Sequence, residues 1–223
     1  MSDTVPVQYE RGEEIFMGMR VKVDERVLIP RPETELLVRT TADICKKKNK
    51  ENLKILELGT GSGIIPLGLT QLIDNCEIIS SDISKDALEV ARYNLRKFRR
   101  ENKIKLVLSD MFSFFSQGYD GFFDCIVANP PYVSKKDYEK LDAWVKAEPR
   151  IALYAGEEGM DYLDIIISGG GKLLASGGFI ALEIGYDQSE KVKNAFRING
   201  FVNIASFIDS AGYERVIVGV KNG

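Results

Sequence analysis

KILELGTGSGIIPLGLTQLI, residues 54–73, reads as a buried strand, a tight glycine loop and a helix. KILELG (54–59) is an apolar run of strand length, and GIIPLGLTQLI (63–73) carries its apolar residues at helical spacing. The same alternation continues downstream. EIISSDI (77–83) is a strand, and SKDALEVARYNLRKFRR (84–100) a helix with Ser84 as its N-cap and Leu88, Ala91 and Leu95 on one face. IKLVLSD (104–110) and FFDCIVANPP (122–131) are the third and fourth strands. YLDIIISGGGKLLAS (162–176) suggests a helix interrupted by three glycines, GGFIALEIG (177–185) a fifth strand, and QSEKVKNAFRING (188–200) a helix ending on glycine. VNIASFID (202–209) and ERVIVGVK (214–221) follow as two strands around a short turn.

Five strands alternating with helices imply a parallel, doubly wound α/β sheet with right-handed crossovers. The connection between the last two strands is too short for a crossover, so they should pair antiparallel and bring the sheet to seven strands. Ahead of this unit, EIFMGMRVKVDERVLI (14–29) alternates like a β-hairpin and RPETELLVRTTADICKKK (31–48) reads as a helix. The expected division is an N-terminal hairpin extension over 1–30 and the sheet domain over 31–223.

Composition narrows the function. With 223 residues, 44% of them hydrophobic, the chain can bury one α/β core. The net charge of −3 and sequence pI of about 5.3 argue against a general phosphate-binding surface, and so against nucleic acid as partner. KKKNK (46–50) and RKFRR (96–100) flank helix ends, where cations complement the helix dipole. Cys45, Cys76 and Cys125 are scattered singles, as expected of reduced thiols in the cytoplasm. MSDTVPVQYERGEE lacks the basic and apolar regions of a secretory signal, and no run is long enough to cross a bilayer. The chain contains no histidine, which removes Ser-His and Cys-His mechanisms and argues against a catalytic zinc.

The loop ELGTGSG places Gly59, Thr60, Gly61, Ser62 and Gly63 beyond the carboxyl end of the first strand, where open α/β sheets bind ligands. A dinucleotide fingerprint would need GxGxxG, but its third glycine falls on Ile64. The resulting GxGxG resembles motif I of S-adenosylmethionine-dependent methyltransferases. Asp82 ends the second strand, where a carboxylate can accept both ribose hydroxyls. Asp110 ends the third strand, in position to meet an adenine amino group, with Met111 against the ring. Glu57 is an acceptor for the cofactor's amino group.

ANPPYVS (128–134) closes the fourth strand at the same end of the sheet. Two prolines fix two φ angles and remove two donors, so no ordinary strand continues. An amide or exocyclic amine is a poor nucleophile because its lone pair is delocalised. Two acceptors on its N–H groups can orient it and stabilise developing positive charge. The Asn129 side-chain oxygen and the Pro130 carbonyl can supply them, Pro131 stiffens the corner, and Tyr132 can stack on a planar group.

NPPY leaves the substrate open between a protein amide and a base amine of DNA or RNA. VPVQYERGEEIFMGMRVKVDERVLIPRPETELLV (5–38), EPRIALYAGEEGMDYL (148–163), GGFIALEIGYDQ (177–188) and the Asp–Gly–Arg pattern of IDSAGYERVIVG (208–219) closely resemble the release factor glutamine methyltransferases, the PrmC or HemK family. IPRPETE (29–35) is the most family-specific piece. The resemblance implies a class I, Rossmann-like methyltransferase. S-adenosylmethionine would be the cofactor, S-adenosylhomocysteine the product, and no metal would be required. It further implies, as substrate, the glutamine of the GGQ motif in a class I peptide chain release factor. Gly59 to Gly63, Asp82, Met111 and Asn129 would hold the cofactor and Asn129 to Tyr132 the glutamine, with Arg31 and Glu33 supporting the pocket. Family members usually carry a helical domain before the hairpin that helps grip the release factor; here a few residues precede VPVQY.

Overall fold

A computed structural model describes residues 5–48, 50–115 and 117–223. A short helix α1 (Val7–Arg11) leads into the hairpin β1 (Glu13–Phe16) and β2 (Met19–Lys22), followed by α2 (Pro32–Lys47). The α/β unit then runs β3 (Leu53–Leu58), α3 (Ile64–Leu72), β4 (Cys76–Asp82), α4 (Lys85–Lys97), β5 (Ile104–Leu108) and β6 (Phe123–Ala128). Two short helices, α5 (Lys135–Lys140) and α6 (Ala143–Lys146), precede α7 (Asp161–Leu173), β7 (Leu174–Glu183), α8 (Ser189–Ile198), β8 (Phe201–Ile208) and β9 (Glu214–Lys221).

The seven strands lie in the order β5-β4-β3-β6-β7-β9-β8. The five strands from β5 to β7 pair parallel, and β9 runs antiparallel to both β7 and β8, as the connection lengths require. Strand order reverses between β3 and β6, so the loops after those strands diverge and leave a crevice at their carboxyl ends. Near-continuous apolar runs in β3 and β6 fit strands covered on both faces. One face packs on α2, α3, α4 and the hairpin, through residues such as Phe16, Val21, Leu37, Leu67 and Val90. The other packs on α7 and α8, through Leu163, Ile167, Val192 and Phe196. Among the described residues no helix is long and apolar enough to cross a membrane.

Three expectations are corrected. The hairpin ladder ends at Lys22, not near residue 29, because Asp24–Val27 forms a turn and Pro30 and Pro32 exclude a further ladder. The glycines 169–171 do not interrupt α7. They lie within it and let it approach the sheet: a Cβ would sit 2.8 Å from the Phe112 ring at Gly169 and 2.9 Å from Ile180 at Gly170. Residues 174–176 belong to β7, where Leu174 pairs with Phe123 ahead of a register shift.

Candidate active site

The glycine loop is held from below by the neighbouring strand. The Gly59 and Thr60 N–H groups both donate to the Ser81 carbonyl, at 2.8 and 2.9 Å. Gly61 N–H donates to Asp82 Oδ2 at 2.9 Å, and Ser84 N–H donates to Asp82 Oδ1 at 2.8 Å. Asp82 therefore braces the loop and the start of α4, and each oxygen keeps a lone pair for a ligand. Burial raises its carboxyl above the usual range, with those backbone donors opposing the shift. Gly59 and Gly61 have φ of 73° and 53°, and a Cβ at either would meet nothing within 4 Å. Space for a ligand lies directly over the backbone.

Gly63 closes the loop differently. It has φ 82°, and a Cβ would sit 3.1 Å from Leu95 Cδ1 of α4, so its lack of a side chain serves packing. Asn94, fully buried on α4, donates to the carbonyls of Ser62 (2.9 Å) and Lys22 (3.0 Å) and accepts from Lys22 N–H (2.7 Å). One side chain thus ties the hairpin to the loop.

Above the loop opens a cleft of about 1010 Å³ including its solvent-filled mouth. Its walls include Gly59, Thr60, Gly61, Ser62, Asp82, Asp110, Met111, Asn129, Pro131 and Arg31 of the residues expected from sequence. Glu57, Gly63, Pro130, Tyr132 and Glu33 are not walls of this cleft. Apolar sides come from Leu28, Ile29, Ile83 and Ile151, so a flat ring system can be buried between them and the polar loop. Open glycine backbone, a two-oxygen acceptor and an apolar slot together fit an adenosine-bearing cofactor.

Arg31 has a specific partner. Its guanidinium pairs with Glu148, whose other oxygen accepts Ile29 N–H at 2.9 Å. Glu148 is buried, and the pair joins IPRPETE to EPRIALY across 117 positions of sequence, closing one side of the cleft. Arg31 also stands at the N-cap of α2 but makes no side-chain cap bond.

At the end of β6 the chain leaves the sheet through Asn129–Tyr132. Asn129 Nδ2 donates to Thr34 Oγ1 on α2 at 3.2 Å. Among the described residues no backbone N–H bonds to the Pro130 carbonyl. The Tyr132 carbonyl accepts from Gln188 Nε2 at 2.9 Å, while Gln188 Oε1 accepts Gly185 N–H at 2.8 Å. Gln188 thus clamps the corner to the segment after β7. The Tyr132 hydroxyl makes a long 3.5 Å bond to Glu183 Oε1, and burial pushes its phenol up. Glu183 is itself buried and pushed up to about 7, chiefly by desolvation. The Asp209 carboxylate accepts from Arg215 Nε at 2.9 Å, which fixes the cation whose field reaches Glu183 and Tyr132.

Sequence reasoning gave no individual role to Thr34, Asn94, Glu148, Glu183 or Gln188. Four of the five lie inside the family-like stretches, so the signal marked segments without naming side chains. For Asn94 the available signal was a polar residue between Ala91 and Leu95 on the apolar face of α4.

A model of the methyltransferase small domain matches residues 33–148. Release factor glutamine methyltransferase of Clostridium acetobutylicum is 36% identical over 220 residues, 98% of this chain and 76% of that protein. The enzyme of the same name from Streptococcus pneumoniae is 39% identical over 215 residues, 96% of this chain and 74% of that protein. The chain belongs to the release factor glutamine methyltransferase family. The fold agrees with that membership. A Pyrococcus furiosus methyltransferase superposes with a TM-score of 0.67 at 16% identity, covering 93% of this chain and 91% of its own. The human METTL16 catalytic domain, solved with an RNA hairpin, gives 0.71 at 15% identity, covering 99% and 80%. At such identities the likeness is one of fold, and it establishes the class I methyltransferase architecture.

Proposed function

We propose that this chain methylates the side-chain amide nitrogen of glutamine in the GGQ motif of class I peptide chain release factors, in the cytoplasm, at the expense of S-adenosylmethionine. The observation that carries the reading is the Asn129–Pro130–Pro131–Tyr132 corner. Its Asn129 and Pro131 line the same cleft as the glycine loop and Asp82. The family membership supports the substrate. When bound, S-adenosylmethionine supplies an electrophilic methyl carbon on a sulfonium.

The chain's own groups do the rest. Gly59 to Ser62 offer close backbone approach, Asp82 accepts ribose hydroxyls, and Asp110 and Met111 take the adenine edge and face. The Asn129 side-chain oxygen and the Pro130 carbonyl accept the two N–H groups of the substrate amide, and their fixed positions aim its nitrogen into the cleft. Positive charge that would grow on that nitrogen, as an N–CH3 bond replaced the sulfonium's S–CH3 bond and left a neutral thioether, would lie beside two oriented acceptors, and one proton would leave to solvent. Tyr132 covers the planar amide. No imidazole is required, in keeping with a chain that has none.

The test offers labelled S-adenosylmethionine with purified release factor and, separately, with duplex DNA, and locates the label by mass spectrometry. Methyl on the GGQ glutamine is the expected result. Labelled DNA beside unlabelled protein would overturn it in favour of a base amino-methyltransferase.

A further inference from the structure

Glu183 ends β7 beside the NPPY corner, because Ala128 and Leu182 are paired and the next residues are Asn129 and Glu183. It is 1% exposed, and among the described residues its Oε2 has no partner in hydrogen-bond geometry. An acid buried this deeply costs stability when charged, so its presence needs a reason. The groups facing it come from three parts of the fold. Thr34 and Glu33 lie on α2, Asn129 and Tyr132 follow β6, and Arg215 lies on β9. Thr34 and Asn129 stand close enough to favour its charged form by hydrogen bonding, and Tyr132 already donates to Oε1.

The donor directions then follow from chemistry. A carboxylate only accepts, so hydroxyls of Thr34 and Tyr132 that face it must donate. With its proton committed, Thr34 Oγ1 presents a lone pair, and Asn129 Nδ2 donates to it at 3.2 Å. The amide is thereby fixed with nitrogen inward and oxygen towards the cleft. We propose that Glu183 is a positioning residue which, when ionised, orders the Thr34 hydroxyl and so holds the Asn129 oxygen outward as acceptor for the substrate amide. The inference rests on the methyl-transfer reading above. Protonated, Glu183 can donate to Thr34, Thr34 can donate to Asn129, and the amide is free to turn its N–H groups towards the substrate, where donor meets donor.

Two measurements on the full chain test this. The first is the pH dependence of kcat on release factor, from about pH 5.5 to about pH 9, for the wild type, Glu183→Gln and Thr34→Val. The wild type should lose activity as pH falls through about 7, the value to which burial pushes Glu183. Glu183→Gln and Thr34→Val should each lower kcat by about tenfold to a hundredfold at the pH optimum. In both, cofactor affinity should change less than about twofold, and the acidic limb should be gone from the Gln variant. Wild-type kcat in both variants, or an acidic limb that persists in Glu183→Gln, overturns the proposal. Should Glu183→Gln fail to fold, Thr34→Val, which keeps the carboxylate, decides alone.

The second is the NMR titration of the Asn129 side-chain amide, which needs no substrate. It should follow a titration near pH 7 in the wild type and not in Glu183→Gln. An amide indifferent to pH in the wild type overturns the wiring. If the wild type methylates nothing while the amide titrates as expected, the function falls and the wiring stands.

Discussion

Glu57 is the penultimate residue of β3, fully buried, and among the described residues neither carboxylate oxygen has a hydrogen-bond partner. Burial pushes its carboxyl from 4.5 up to about 7, with nearby Thr60 and Ser80 hydroxyls opposing and the Asp82 charge adding to the rise. The folded-state value lies above the unfolded one, so the contribution of Glu57 to stability is complete below about pH 4.5 and lost as pH rises through 7. The displacement corresponds to about 3 kcal/mol at pH 8 and about 1 kcal/mol at pH 5. Glu57→Gln removes the charge, and the new amide can donate to the Thr60 or Ser80 oxygen, both buried and unpartnered. The variant should therefore melt roughly 6–12 °C higher at pH 8, with a gain about a third as large at pH 5. Glu183 has the same sign of shift but is present in both proteins, so it cancels in the difference. Melting followed by circular dichroism on dilute protein is the assay, since pH 5 lies near the sequence pI of about 5.3. Equal melting temperatures at pH 8, or a gain independent of pH, would refute the assignment of an uncompensated buried carboxylate. Calorimetry on the same variant asks what the strain is for. Glu57 is not a wall of the cleft, yet a charge stored beneath the glycine loop suits a cationic ligand above it. A stabilised variant that binds S-adenosylmethionine tenfold more weakly would show stability exchanged for affinity.

Asp82→Ala removes the braces on Gly61 and Ser84 together with the proposed ribose acceptor, so cofactor affinity measured by calorimetry should fall roughly tenfold or more; an unchanged Kd would take Asp82 out of the site. Asn129→Ala should abolish methyl transfer while cofactor affinity stays within about threefold of wild type, and parallel loss of both would contradict its proposed role towards the substrate amide. Arg31→Met leaves Glu148 buried with only the Ile29 N–H, and urea unfolding should register a loss of about 2–3 kcal/mol. The double variant with Glu148→Gln should recover more than half of that loss; a simple sum of the single effects would mean the pair is not coupled.

The parallel sheet was legible because its signals are local and mutually consistent. Apolar runs of strand length alternate with amphipathic helices, and Ser84 accepts from Ala87 N–H as an N-cap should. The misreadings share one cause, which is that local pattern carries no information about what packs against it. Three glycines in a row weaken a helix in isolation, yet in α7 Gly169 and Gly170 are what allow Phe112 and Ile180 to approach its backbone. Alternation from 14 to 29 looked like a longer hairpin, but residues 26–31 were shaped by the cleft they wall rather than by a strand partner.

The site divides along a similar line. Its backbone parts, the glycine loop and the proline corner, announce themselves because only glycine and proline permit those conformations. Its acids do not, since a glutamate in sequence reads the same whether solvated or buried. Glu57 and Glu183 were the partial exceptions, standing alone in the apolar runs KILEL and FIALEI, where a surface residue has no place. Glu148 had no such context, and its partner lies 117 positions away, so only the folded chain could pair it with Arg31. Glu57, Glu148 and Glu183 are all buried, come from different strands and loops, and lie behind the cleft rather than in its walls. Glu148 is neutralised by Arg31, whereas Glu57 and Glu183 each leave an oxygen without a hydrogen-bond partner, and both are pushed up to about 7. Burying those two carboxyls without full hydrogen bonding costs stability, and for Glu183 that cost falls beside Asn129 and Tyr132, the corner proposed to hold the substrate amide.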